Sequence, residues 1–159
     1  MKNKATGLLQ AICMGVVTGM RSAMGPAFTS YWVSQHPSEK LRKSPLGFMQ
    51  RPATARYLET LAAGELVLDK APALGNRIAA AGIAGRALSG ALAGATLYQA
   101  KGNKSWKGGL IAAAAAVAAA YAFFYLRQFT GKKLQIKDAA LGGVEDALAV
   151  GIATIAIKK

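Results

Sequence analysis

The stretch GGLIAAAAAVAAAYAFFYL, residues 108–126, contains nineteen residues and no charged side chain. A helix of about 20 apolar residues is long enough to cross the hydrocarbon of a lipid bilayer. Two more runs have the same character: residues 78–100 carry only the charge of Arg86, and residues 139–157 carry only Glu145 and Asp146. Because three such runs leave almost no polar face to meet water, they predict helices that lie in a membrane.

The N-terminal part of the chain is less regular. Residues 5–33 are apolar apart from Arg21, and the pair Gly25-Pro26 should end or kink the first helix. A signal peptide is the competing interpretation of this run, but no cleavage site of the A-x-A type follows it. Residues 57–68 carry Glu59 and Glu65, so they predict either a short spanning helix or a re-entrant one.

These segments together predict an all-α, polytopic transmembrane bundle of about five short helices rich in Ala and Gly. The chain would form one integral membrane domain, residues 1–159, with membrane segments near residues 5–28, 57–70, 78–100, 108–126 and 139–157. Five crossings would place the two termini on opposite sides of the membrane.

The composition supports this class of protein. Of the 159 residues, 53 % are hydrophobic and 17 % are charged, against about 25 % charged residues in soluble domains. The net charge of +13 would suggest nucleic acid in a soluble protein. Here the Lys and Arg residues lie mostly in or beside the gaps between apolar runs, where they fit anionic lipid headgroups instead. We therefore expect the lipid bilayer as a partner and no nucleic acid.

The basic residues do not decide the orientation at this stage. With five crossings, eight Lys and Arg residues fall on the N-terminal side and ten on the other. If residues 57–68 do not cross, the division becomes seven against eleven. The positive-inside rule cannot assign an orientation from a division of eight basic residues against ten, so dual insertion remains open.

Small residues form three ridges at four-residue spacing. Membrane helices associate through close packing of such residues, because lipid is as apolar as the side chains it would replace. We predict helix-packing roles for Gly15, Gly19, Gly82, Gly90, Gly94, Gly143 and Gly151. The ridge with Gly90 at its centre should pack against another helix, either the first or the last.

Charged residues inside the apolar runs form the candidate site. A lone charge at the centre of a bilayer costs roughly 2.5–3.5 kcal/mol on insertion scales, so such residues usually pair or line a wet cavity. The predicted buried charge cluster consists of Arg21, Glu65, Asp69, Lys70, Arg86, Glu145 and Asp146. We expect Arg86 to pair with Glu145 or Asp146, and Arg21 to lie nearer Glu65 and Asp69. Such pairs either serve a function or only fix the register of the helices.

The two halves of the chain also share a pattern. Arg21 precedes Gly25 by four residues, and Arg86 precedes Gly90 by four. A Gly-rich acidic segment follows later in each half, with Glu65 in the first and Glu145 in the second. Many transporters are built from repeats of this kind, with their sites at the midplane between the halves.

Several short segments, taken in order, resemble a known family. They are Gly19-Met20-Arg21-Ser22 before Pro26-Ala27, Ser44-Pro45-Leu46, Gly64-Glu65 through Asp69-Lys70-Ala71-Pro72, Arg86 through Ser89-Gly90, and Glu145-Asp146. This set resembles a bacterial membrane-protein family catalogued as domain of unknown function 4126. The resemblance covers nearly the whole chain and implies a small multi-pass membrane protein, without a substrate.

Two functions remain open from the sequence. One is a transporter or channel for a small anion or a proton-coupled solute. In it, the Arg and carboxylate cluster would bind the anion or relay protons. The other is a structural or assembly protein that packs partner helices, or further copies of itself, through Gly ridges. We expect no enzyme, catalytic residue, cofactor or metal site, since the chain lacks the common nucleotide and hydrolase motifs and has one Cys and one His. The expected location is the bacterial inner membrane.

Overall fold

A computed structural model describes residues 2–68, 80–134 and 138–158, and all regular structure in these ranges is helical. The α-helices are α1 (Lys2–Met20), α2 (Met24–Gln35), α3 (Glu39–Arg42), α4 (Pro52–Leu68), α5 (Ala80–Ala100), α6 (Ser105–Leu134) and α7 (Asp138–Lys158). A 3₁₀ helix, Pro45–Gln50, lies between α3 and α4. The all-α prediction is therefore confirmed for the described residues.

The segment predicted as one helix near residues 5–28 is divided between α1 and α2. The break at residues 21–23 comes one turn before Gly25-Pro26, which lie in the first turn of α2. In a continuous helix the ring of Pro26 would clash with the carbonyl of Ser22, four residues earlier. The first turn of a new helix tolerates proline, so the chain ends α1 at Met20 and starts again.

Helices α1 and α5 pack against α6 through the predicted glycines. A Cβ atom at Gly15 would lie 2.7 Å from the Cβ of Ala115, and one at Gly19 would lie 2.7 Å from that of Ala119. From α5, a Cβ at Gly90 would lie 2.9 Å from the carbonyl oxygen of Ala112. These distances are shorter than van der Waals contact, so the backbones meet only because the side chains are absent.

The ridge with Gly90 at its centre packs against a different helix from the predicted ones. Gly90 and Gly94 pack against α6, the neighbour in sequence, and not against the first or last helix. The short connection at residues 101–104 makes α5 and α6 an antiparallel pair, which brings these surfaces together. Gly102 in this connection has φ +76°, and Asn103 N–H donates to the carbonyl of Tyr98 at 2.8 Å, which closes the end of α5.

The predicted ridge of α7 does not pack inside the described structure. A Cβ at Gly143 or Gly151 would meet no other atom within 4 Å. The buried face of α7 carries Ala149, Ala153 and Ala156 instead. The four-residue spacing identified one face of the helix, but a different face of α7 turns inward.

The direction of α2 changes the topology. Ser38, just after α2, donates its hydroxyl to the carbonyl of Ala100 at 2.8 Å, at the end of α5. Gly7 of α1 faces the side chains of Lys101 and Asn103 in the same region. The chain therefore runs away from this end in α1 and returns to it in α2, as a helical hairpin.

The C-terminus reaches the same end of the bundle. The Gln10 side-chain amide donates to the carbonyl of Ala156 at 2.9 Å, while Arg21 contacts Asp146. These two pairs show that α7 runs antiparallel to α1. We call the end that holds the starts of α1, α4 and α6 and the ends of α2, α5 and α7 the terminal face. Both described termini lie there, so the expectation of termini on opposite sides is wrong for this fold.

Candidate functional site: a charge cluster at the hairpin turn

The hairpin turn at residues 21–23 is held by a carboxylate from α4. One oxygen of Glu65 accepts hydrogen bonds from the backbone N–H and the hydroxyl of Ser22, both at 2.8 Å. Its other oxygen accepts from the N–H of Ala23 at 2.7 Å. The first N–H groups of a helix have no partner within it and carry partial positive charge. Glu65 thus supplies the cap that α2 lacks in its own sequence.

A buried ion pair ties the same turn to the last helix. The Nε of Arg21 donates to Asp146 at 2.5 Å, and the arginine side chain is only 4 % exposed. Gly142, one turn earlier in α7, lies where an added Cβ would come 3.9 Å from this guanidinium and 3.6 Å from that of Arg127. The two guanidinium groups therefore lie beside the same turn of α7.

The second acid of α7 belongs to the same cluster. The carboxylate of Glu145 lies 3.6 Å from the nearest nitrogen of Arg127, and its side chain is 9 % exposed. Arg86 and Glu145 both line a small cavity between α1, α5, α6 and α7. Its volume is about 10 Å³, which matches the space of a single water. Arg86 also donates to the carbonyl of Gly82 at 3.4 Å.

The structure thus brings together most of the predicted cluster, with different pairings. Arg21 binds Asp146, a partner that we expected for Arg86. Glu65 lies beside Arg21 as expected, but it binds the residues that follow the arginine. The reason is the hairpin, which carries Arg21 to the level of Asp146. Asp69 and Lys70 lie outside the described residues.

Sequence reasoning missed two parts of this site. Arg127 lies just beyond the predicted membrane segment 108–126, yet α6 continues to Leu134 and carries Arg127 within its length. No Gly or Pro interrupts residues 110–130, and this lack of a helix stop signal indicated that the helix continues past residue 126. The capping role of Glu65 had no signal in the sequence, because it joins residues more than 40 positions apart.

The shared pattern of the two halves is not matched by shared geometry. Arg21 lies in a break between two helices, whereas Arg86 lies inside the continuous helix α5. The two arginines therefore occupy different backbone settings, although each precedes a glycine by four residues.

An apolar groove lies beside the cluster, between α2, α4 and α7. It has a volume of about 390 Å³ and is lined by Met24, Ala27, Phe28, Tyr31, Glu59, Ala62, Ala63, Leu66 and Val150. Glu59 is its one charged lining residue, and Met24 and Leu66 form the end nearest the hairpin turn. Within the described residues, no group of three or more His, Cys, Asp and Glu side chains is placed to hold a metal ion.

One described helix is long and apolar enough by itself to cross a membrane: residues Ser105–Thr130 of α6 have a mean hydropathy of 2.0. No family model, curated protein or solved structure matches this chain.

Proposed function

We propose that this chain is a multi-pass integral membrane protein of the bacterial inner membrane, with a structural role for its charge cluster. The supporting observation is the distribution of polar and apolar side chains. Gln10, Thr18 and Arg21 are buried, whereas Leu88, Leu110 and Ile155 are each at least 64 % exposed. Large exposed apolar side chains, together with polar and charged groups held inside a mainly apolar core, suit a hydrocarbon solvent better than water.

The helix lengths fit this proposal. At 1.5 Å per residue, α5 and α7 are each about 31 Å long and α1 is about 28 Å long, close to the ~30 Å of bilayer hydrocarbon. The 12 residues of α2 cover only about 18 Å. In this arrangement α2 returns through part of the bilayer. Its N-terminal N–H groups would lie within the hydrocarbon, where no water can bond to them, so the protein itself must supply their cap.

Within the cluster, the geometry favours a structural role over conduction of a small anion. Glu65 is bound by the hairpin turn, Asp146 by Arg21, and Glu145 lies beside Arg127. The adjoining cavity has room for about one water. Charges that already neutralise each other leave little attraction for a passing ion. The cluster instead joins α1, α2, α4, α6 and α7 at the point where the chain turns.

The test is whether folding survives loss of the acids. Glu65→Ala and Asp146→Ala should reduce the amount of protein in the membrane and its thermal stability in detergent, because each change leaves buried donors without a partner. Glu59→Ala, on the groove side of α4, is the matched control and should behave as the wild type. Variants of Glu65 and Asp146 with wild-type amounts and stability would contradict the structural role and favour transport.

A second candidate function is binding of a lipid acyl chain in the groove between α2, α4 and α7. Its volume of about 390 Å³ lies within the range of ligand pockets, and its lining is mostly apolar. On α4 the lining positions 59, 62, 63 and 66 follow helical spacing, and Arg56 continues this row toward the terminal face. The exposed guanidinium there is complementary to a lipid phosphate.

Native mass spectrometry of the detergent-purified protein tests this candidate. Ala62→Trp should fill the groove and remove a bound phospholipid, whereas Ala114→Trp, on the exposed side of α6, should retain it. Equal lipid retention in both variants would contradict binding in the groove.

A further inference from the structure

The basic residues gather at the terminal face. Among the described residues, eleven Lys and Arg residues belong to segments at this end: Lys2, Lys4, Lys40, Arg42, Lys43, Arg51, Arg56, Lys101, Lys104, Lys107 and Lys158. Toward the opposite end, the described residues supply Arg127, Lys132 and Lys133. Arg21 and Arg86 belong to the interior cluster. The excess depends on the hairpin, which returns residues 36–56 to the end where the chain begins.

Three contacts fix this grouping. The hydroxyl of Ser38 bonds to Ala100, and the side-chain amide of Gln99 donates to the carbonyl of Lys40 at 3.2 Å. The aliphatic part of the Lys40 side chain lies over Gly102, where an added Cβ would meet it. The segment after α2 is thus attached directly to the connection between α5 and α6. Its basic residues cannot lie at the other end of the bundle while these contacts hold.

We propose that the terminal face lies in the cytoplasm against the anionic headgroups of the inner leaflet, with both termini on that side. This inference depends on the proposed membrane location. Lys and Arg near the ends of membrane helices are retained on the cytoplasmic side, where anionic lipids attract them. Lys70, Arg77 and Lys137 lie outside the described residues, yet even if all three belonged to the opposite end the division would be eleven against six.

The partner of this surface follows from its composition. Among the described residues, this face carries one acid, Glu39, and its side chain pairs with Arg42 of the same short helix at 2.9 Å. Lys107 lies over the exposed ring of Trp106, with its Nζ 5.5 Å from the ring centroid, and Phe48 is exposed as well. Cations beside amphipathic rings are typical of protein at the level of lipid headgroups. A leaflet rich in anionic phospholipid is the surface that this combination fits.

Cysteine accessibility tests the orientation in a Cys13→Ala background, which removes the natural thiol. Asn103→Cys reports on the terminal face, and Thr130→Cys reports on the far end of α6. A membrane-impermeant maleimide should label Asn103→Cys in inverted vesicles at least about tenfold more than in intact spheroplasts, and Thr130→Cys in the opposite way. The reverse pattern, or equal labelling of each site from both sides, would overturn the proposal.

Charge variants provide the matched control. Replacing Lys43, Lys104 and Lys107 by Gln should increase the inverted fraction, while replacing Lys132 and Lys133 by Gln should not. An unchanged orientation in the first set would contradict the role of these cations. Release of the wild-type protein from membranes by alkaline carbonate would instead contradict the membrane location, so the two failures are distinguishable.

Discussion

The interface between α5 and α6 and the interface between α1 and α7 hold helices together in different ways. At the first, the close contacts of the glycines are with small uncharged groups, such as Gly94 with the backbone of Gly108. At the second, Gln10 bonds to Ala156 and Arg21 bonds to Asp146, at two levels of the same pair of helices. The α5–α6 interface depends on glycines, which have no side chain to keep the backbones apart. The α1–α7 interface depends on side chains that form a hydrogen bond and an ion pair. They should therefore fail under different substitutions.

The largest effect should come from breaking the buried ion pair. Arg21→Ala leaves Asp146 without its cation in a largely apolar setting, and we expect a loss of about 3 kcal/mol or more in the free energy of unfolding. The double variant Arg21→Ala/Asp146→Ala should lose less than the sum of the single losses. Thermal or denaturant unfolding in detergent, arranged as a double-mutant cycle, measures the coupling. Strictly additive losses would show that the pair does not contribute as a unit.

A smaller loss should follow from adding one methyl group to the glycine interface. Gly94→Ala places a Cβ against the Gly108 carbonyl and the Ala112 side chain, so α5 and α6 must separate, at a cost of about 1–3 kcal/mol. Gly151→Ala on α7 is the matched control, because a Cβ there meets nothing within 4 Å. Comparable melting temperatures for the two variants would mean that the α5–α6 packing is looser than described.

The smallest of the three effects should come from Arg127→Gln. Its distance of 3.6 Å to Glu145 exceeds the usual length of a hydrogen bond, so the contact is mainly electrostatic. We expect a loss of about 1 kcal/mol, clearly below that of Arg21→Ala, in the same unfolding assay. A loss equal to that of Arg21→Ala would show that Arg127 supports Glu145 more strongly than the distance indicates.

The sequence was informative wherever a feature depends on residues close together in the chain. The glycine spacing in residues 82–94 predicted a packed ridge, and the structure places Gly90 and Gly94 in close contact. The same spacing in α7 gave no such contact at Gly143, since spacing describes a surface and not its neighbour. The pairing of Arg21 with Asp146 was also missed, because it depends on where the first helix ends.

The sequence by itself determined that the chain is helical, that its helices are apolar, and that a few charges lie within them. Periodicity and composition specify these properties because each arises from residues within one or two turns. Only the tertiary structure decided that residues 24–35 return toward the terminal face. That return depends on contacts between distant residues, such as Ser38 with Ala100 and Glu65 with Ala23. It also changed the division of basic residues from nearly even to a clear excess at one end. Because α2 turns back toward the terminal face, the basic residues between α2 and α4 lie at that face and not at the opposite end.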